Sequence, residues 1–136
     1  MADKIKTKTI NQTTTFDASP EAIYEALMDS KKHSEFTGGK AEISKEVGGK
    51  ISAYDGYIEG KNLELQENKK IVQSWRANDW PEGHWSRVTF SLIKNGKKTQ
   101  LKFKHEGVPA EFYEDIEKGW IDYYWKPMKE IFTDEK

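Results

Sequence analysis

The chain has 136 residues, no cysteine and a formal net charge of -1, which excludes a disulfide framework, a thiolate metal site and a nucleic-acid binder held by a general positive field. One residue in three is charged, yet there are five Trp, six Tyr and six Phe, the mix of a globular chain with a bulky aromatic core. No apolar run reaches membrane-spanning length, and Met1 to Lys6 contain no apolar signal segment, so the expectation is one domain over residues 1–136, cytoplasmic, with neither membrane nor nucleic acid as a partner.

Ile5 to Phe16 alternates loosely and holds five threonines, a β-branched composition that favours a strand. Ser19 and Pro20 then supply an N-cap and a first helical residue, with Glu21 at the positive helix end. That helix runs through Ile23, Tyr24, Leu27 and Met28. A shorter helical stretch, Lys31 to Phe36, stops at Gly38-Gly39. Short strands separated by turn signals follow: Lys40 to Ser44, Lys50 to Tyr54, Tyr57 to Gln66, Lys70 to Asn78, Ser86 to Lys94 and Lys97 to His105. Asp55-Gly56 and Asn95-Gly96 are hairpin dipeptides. In the last two strands Val88, Phe90 and Leu92 share one face, as do Leu101, Phe103 and His105, while Lys98, Gln100, Lys102 and Lys104 point the other way. One sheet face is therefore apolar and the other wet.

The chain is organised around a long helix predicted from Pro109 to Phe132. Its large apolar residues, Phe112, Ile116, Trp120, Tyr123, Tyr124, Met128, Ile131 and Phe132, recur in steps of three and four and form one stripe. Gly119 and Pro127 weaken it, and Pro127, lacking the N–H that would reach the Tyr123 carbonyl, predicts a kink. The kink either lets the helix follow a curved sheet or makes it adjustable over a cavity. Thr133 to Lys136 reads as a frayed polar tail. The layout is α+β: a curved antiparallel sheet of six to seven strands gripping a long C-terminal helix. Phe90, Leu92, Leu101, Phe103 and Trp120 are expected in the core.

Phe36-Thr37-Gly38-Gly39, Gly48-Gly49-Lys50-Ile51, Tyr57-Ile58-Glu59-Gly60, Lys70-Ile71-Val72-Gln73-Ser74-Trp75-Arg76, Trp80-Pro81-Glu82-Gly83-His84 and Gly119-Trp120 resemble, as an ordered set, the activator of Hsp90 ATPase family within the Bet v 1/START-like helix-grip superfamily. The set spans almost the whole chain and is most similar to the C-terminal domain of the two-domain co-chaperones. The resemblance implies a helix-grip fold and a non-enzymatic, co-chaperone-like module. It also implies that 136 residues leave no room for the N-terminal domain that carries much of the Hsp90 contact, so weak activation of ATP hydrolysis is expected. Helix-grip relatives that stand alone often hold apolar small molecules between sheet and helix.

The residues themselves name no reaction. His33, His84 and His105 lack zinc-ligand spacing, so no metal is expected; His105 reads as a core histidine. No nucleophile elbow or phosphate-binding glycine loop is present, and Glu82, His84 and Ser86 form a triad only on paper, since triads are defined by geometry. No catalytic residue and no cofactor is expected. The loop from Trp80 to Trp85 places two tryptophans on a polar segment. They either fold back over one end of the sheet or form a partner-facing patch, in which case Trp80, His84 and Trp85 are the partner-binding candidates. The lysine row Lys98, Lys102 and Lys104 reads as a solvated face or a docking surface for an acidic protein. Two functions stay open: a module that binds an Hsp90-like chaperone or another protein, and a carrier of an apolar small molecule whose cavity is lined by Phe90, Phe103, Phe112, Ile116, Trp120, Tyr123 or Tyr124. A cavity of a few hundred cubic ångströms would favour the carrier.

Overall fold

A computed structural model describes residues 6–133. Ile5, expected to open the first strand, and the tail beyond Thr133 lie outside them. The elements in chain order are β1 (Thr7–Phe16), α1 (Pro20–Met28), α2 (Ser30–Thr37), β2 (Glu42–Ile43), β3 (Lys50–Ala53), β4 (Ile58–Gln66), β5 (Lys70–Ala77), β6 (Ser86–Asn95) and β7 (Lys98–Pro109). A 3-10 turn (Ala110–Phe112), α3 (Tyr113–Trp120), a π-helical turn (Ile121–Trp125) and α4 (Lys126–Thr133) complete the chain. The strands form one antiparallel sheet in the order β1-β7-β6-β5-β4-β3-β2. This is the helix-grip α+β fold, with the C-terminal helix laid across the apolar face. No helix among the described residues is long and apolar enough to cross a membrane.

Local chemistry sets most boundaries. Ser19 caps α1 through its side chain, accepting from Ala22 N–H, and Pro20 stands at the first helical position. Asp29 ends α1 and caps α2 by accepting from Lys32 N–H at 3.0 Å. Gly38, at φ 81°, closes α2 in the left-handed conformation that glycine adopts without strain. The β6–β7 hairpin pairs Asn95 with Lys98, so its turn is Gly96-Lys97, with Gly96 at φ 64°. The β3–β4 connection is longer than the two-residue hairpin Asp55-Gly56 suggests: Tyr54, Asp55 and Gly56 all have positive φ between Ala53 and Ile58. The β2 edge is closed by α2, whose Ser30 and Ser34 hydroxyls accept from the N–H groups of Ile43 and Ala41 at 2.7 and 2.8 Å. Those donors are thereby withheld from edge-to-edge pairing.

The alternation expected in β6 and β7 is present. Phe90 sits across from Phe103, and Leu92 across from Leu101; all four are buried, as is Trp120. Two features of the last helix differ from expectation. Pro109 does not open it: β7 keeps pairing with β1 as far as Thr7–Pro109, where a residue without an N–H is tolerated at a strand end. The helix also contains a π-helical turn just before Pro127, with Lys126 N–H donating to the Ile121 carbonyl.

That turn changes which residues face inward. A regular helix advances about 100° per residue, which puts Trp125 about 140° away from Trp120 and brings Tyr123 and Ile131 inside. The π turn holds one extra residue and sets everything after it back by about 100°. Trp125, Met128 and Phe132 then rotate toward the sheet, and Ile131 rotates away. Trp125 and Met128 are buried, while Tyr123 and Ile131 are 56% and 48% exposed. Trp125, absent from the expected stripe, packs edge-on against Phe16 and Phe103 at 6.3 and 5.3 Å.

Candidate functional site

Between the last helix and the β3–β5 half of the sheet lies a cavity of about 500 Å³. Tyr54, Tyr57, Ile58 and Trp75 line it from the sheet side, and Asp115, Ile116, Gly119, Trp120, Tyr123 and Tyr124 from the helix. Trp75 and Trp120 form its base with ring centroids 5.6 Å apart, and Tyr54 meets Tyr123 edge-on at 5.8 Å. Tyr57, Asp115 and Tyr123 are exposed and mark its mouth. The position of Gly60 keeps the sheet side close: it pairs with Trp75, and a Cβ there would run into the Ser74 carbonyl.

Of the seven residues expected around a cavity, Ile116, Trp120, Tyr123 and Tyr124 line it. Phe90 and Phe103 lie beneath Trp120, at 5.9 and 4.5 Å, and support its base. Phe112 packs toward Trp80 at 6.5 Å instead. The sequence reading missed Tyr54, Tyr57, Ile58, Trp75 and Asp115 as lining residues. The alternation of Ile71, Gln73 and Trp75 in β5 carried a signal for Trp75. Tyr54 and Tyr57 carried none, since only the sheet order sets their loop opposite the π turn.

Three polar pegs hold the helix over the cavity. Trp120 Nε1–H donates to His105 Nδ1 at 3.1 Å, and His105 Nε2–H donates to the Ser86 hydroxyl at 2.7 Å, which itself donates to the Trp75 carbonyl. These partners fix His105 as the neutral Nε2–H tautomer, and burial pushes its pKa down to about 3. The Tyr124 hydroxyl donates to His33 Nε2 at 2.8 Å, while His33 Nδ1–H donates to the Leu27 carbonyl; burial pushes this histidine down to about 4. Gln12 accepts from Trp125 Nε1–H and donates to the Glu117 carbonyl at 3.0 Å. Consecutive parts of one helix are thus tied to β7, α2 and β1, before and within the π turn.

Glu82, His84 and Ser86 do not assemble as a triad. His84 Nε2–H donates to the Gly107 carbonyl at 2.8 Å, Glu82 is exposed, and Ser86 is sealed beneath Trp75 with His105. Among the described residues no three His, Asp or Glu side chains group to hold a metal ion. The Trp80–Trp85 loop divides. Trp80 is 4% exposed and packs on Trp75, His84 and His105, so its ring is part of the core. His84 is half-buried. Trp85 is 46% exposed on the outer sheet face, with the Arg76 guanidinium 5.8 Å over its ring.

Gly119 has free space on its cavity side. A Cβ there meets only Tyr123 Cδ2, at 3.8 Å. Gly119→Ala is therefore expected to raise stability by about 0.5–1 kcal/mol through helix propensity. Urea unfolding of the two proteins measures this, and a loss of stability would mean that the helix needs the glycine's backbone freedom.

Residues 17–133 match the family described as Activator of Hsp90 ATPase homolog 1-like protein. The chain is 34% identical over 129 residues to the human activator of 90 kDa heat shock protein ATPase homolog 1, covering 95% of this chain and 38% of that protein. It is 36% identical to the Dictyostelium discoideum homologue, covering 96% and 34%. The chain thus spans little more than a third of these relatives. The crystal structure of an HSP90 activator from Plasmodium falciparum superposes with a TM-score of 0.86 at 28% identity, over 92% of this chain and 96% of that one. With a family match across its helix-grip core and relatives above 30% identity along nearly its whole length, this chain belongs to the Activator of Hsp90 ATPase homolog 1-like family.

Proposed function

We propose that the chain is a non-enzymatic, co-chaperone-like protein-binding module whose partner is an Hsp90-type chaperone. Cytoplasmic residence belongs to the same proposal. Its kinship with Hsp90 ATPase activators supports the reading, and the observation that carries it is the placement of Trp85. This indole lies half in water with a guanidinium over its ring, while its neighbour Trp80 anchors the loop in the core. Arg76 is itself fixed by Glu59 at 3.6 Å and by the Trp80 carbonyl at 3.0 Å. A pre-organised Trp–Arg pair has the makings of an interface hot spot. Titrating an Hsp90-type chaperone against the wild type and Trp85→Ala tests it. The variant is expected to bind about 2 kcal/mol more weakly and to unfold as cooperatively as the wild type; equal affinities would remove Trp85 from the interface.

A second reading, carriage of an apolar small molecule, is favoured by the cavity, whose volume lies in the range of ligand sites. The two readings use opposite faces of the sheet and are tested separately.

A further inference from the structure

We propose that the cavity under the last helix selects an organic cation, an apolar body of aromatic size bearing an ammonium group, over neutral or anionic molecules of the same shape. This rests on the carrier reading and adds a charge preference to it.

Six of the ten lining residues are aromatic, and none is Lys, Arg or His. Ring faces carry negative potential, so they attract an ammonium group and repel a carboxylate. The single charged group in the lining is Asp115, at the mouth. A second carboxylate, Asp79, accepts from the Tyr57 hydroxyl at 2.9 Å. Burial, Asp79 and Asp115 together push this phenol up to about 12, so both carboxylates act on the rim. The nearby cations are engaged elsewhere: Lys118 is bound to Asp122 at 2.8 Å, Arg76 lies on the outer sheet face with Glu59, and both buried histidines are neutral.

Most donors in the wall are already engaged. An anion in an apolar cavity needs hydrogen bonds to offset its desolvation. The Tyr57 hydroxyl is committed to Asp79, the Tyr124 hydroxyl to His33 and the Trp120 N–H to His105. A carboxylate would have to break one of these or rely on the Tyr54 hydroxyl alone, a buried lining group without a hydrogen-bond partner. A quaternary ammonium group asks for no acceptor and so loses less than a carboxylate on entering such a site; its advantage over a neutral molecule has to come from the ring faces and from Asp115.

Three probes share one ring system and differ in charge: (2-naphthylmethyl)trimethylammonium, 2-(2-naphthyl)ethanol and 2-naphthylacetate. Calorimetric titration, with the indole N–H signals of Trp75 and Trp120 followed by NMR, is expected to show the cation binding about tenfold tighter than the alcohol, with the carboxylate weakest. Asp115→Asn, an exposed substitution, should bring the cation to within about threefold of the alcohol. Gly119→Trp should obstruct the cavity and weaken binding of all three at least tenfold while unfolding stays cooperative. If the alcohol equals or exceeds the cation, the charge preference is wrong and the carrier reading survives. If the cation's advantage is insensitive to Asp115→Asn, or its binding is not weakened in Gly119→Trp, it binds elsewhere and the proposal falls. If no probe binds, the carrier reading falls with it.

Discussion

Trp120→Ala is expected to lower the stability of the domain by about 3–5 kcal/mol, the range of a large aromatic truncation in a core. Trp120 is 3% exposed and sits at the centre of the aromatic cluster. Phe103 and Tyr124 lie 4.5 Å away, Trp75 5.6 Å away, and Trp125 is stacked at 5.8 Å. Its N–H is also the donor that satisfies His105, so truncation leaves a buried acceptor without a partner. Trp120→Phe separates the two contributions: it keeps most of the ring packing and drops the N–H, and should cost about 1–2 kcal/mol. Urea or thermal unfolding measures both. Because Trp120 borders the cavity, a loss below ~1 kcal/mol for the alanine variant would mean that its surroundings collapse around the gap, and that the helix is held mainly by its other two pegs.

How much of this was legible in the sequence depended on periodicity. Val88, Phe90 and Leu92 against Leu101, Phe103 and His105 alternate cleanly because one sheet face is dry and the other wet, and Asn95-Gly96 located their turn to within one residue. The register of the last helix was legible only in part beyond Trp120: Tyr124, Met128 and Phe132 pack inward as expected, but Tyr123 and Ile131 do not, and Trp125 was missed. A stripe drawn at 3.6 residues per turn cannot anticipate an inserted residue, and the one local sign was Pro127. Its ring crowds the carbonyl four residues back, and the π turn opens the helix at that point. Expected as the cause of a kink, Pro127 instead lies just past a change of register that buries Trp125 and exposes Tyr123. The cavity was half legible for the same reason. Its helix wall follows from the stripe, but Tyr54, Tyr57 and Trp75 reach it only through the pairing of β3, β4 and β5, contacts distant in sequence. His105 was legible as a core histidine, but its bond to Trp120 was not, because that partner comes from the opposing helix.

The second large effect is acid sensitivity. Stability is expected to fall steeply between pH 6.5 and 4. In the fold, burial holds His33 at about 4 and His105 at about 3, against 6.5 for a free imidazole. Below pH 6.5 the unfolded chain therefore takes up to two protons that the folded chain refuses, and stability rises with pH wherever the unfolded state binds more protons. The contribution is fully present above pH 6.5 and is lost as pH falls toward the folded values. At about 1.4 kcal/mol per unit, each histidine accounts for roughly 3 kcal/mol by pH 4, so the pair removes a large part of a typical 5–15 kcal/mol. The carboxyls of Asp29, held low by the Lys32 N–H, and Asp122, held low by Lys118, titrate below this window. Protonation also strikes particular bonds: the proton would land on His105 Nδ1 and His33 Nε2, the acceptors for Trp120 and Tyr124. Detachment of the last helix should therefore accompany proton uptake, visible as a change in tryptophan emission. Urea midpoints measured from pH 8 to 4 should be level at first and then fall, with ΔG changing by up to about 2.7 kcal/mol per pH unit as the two protons bind. A level profile down to pH 4.5 would show that both imidazoles accept a proton without releasing the helix, and the pegs would then lose their claim to hold the roof of the cavity.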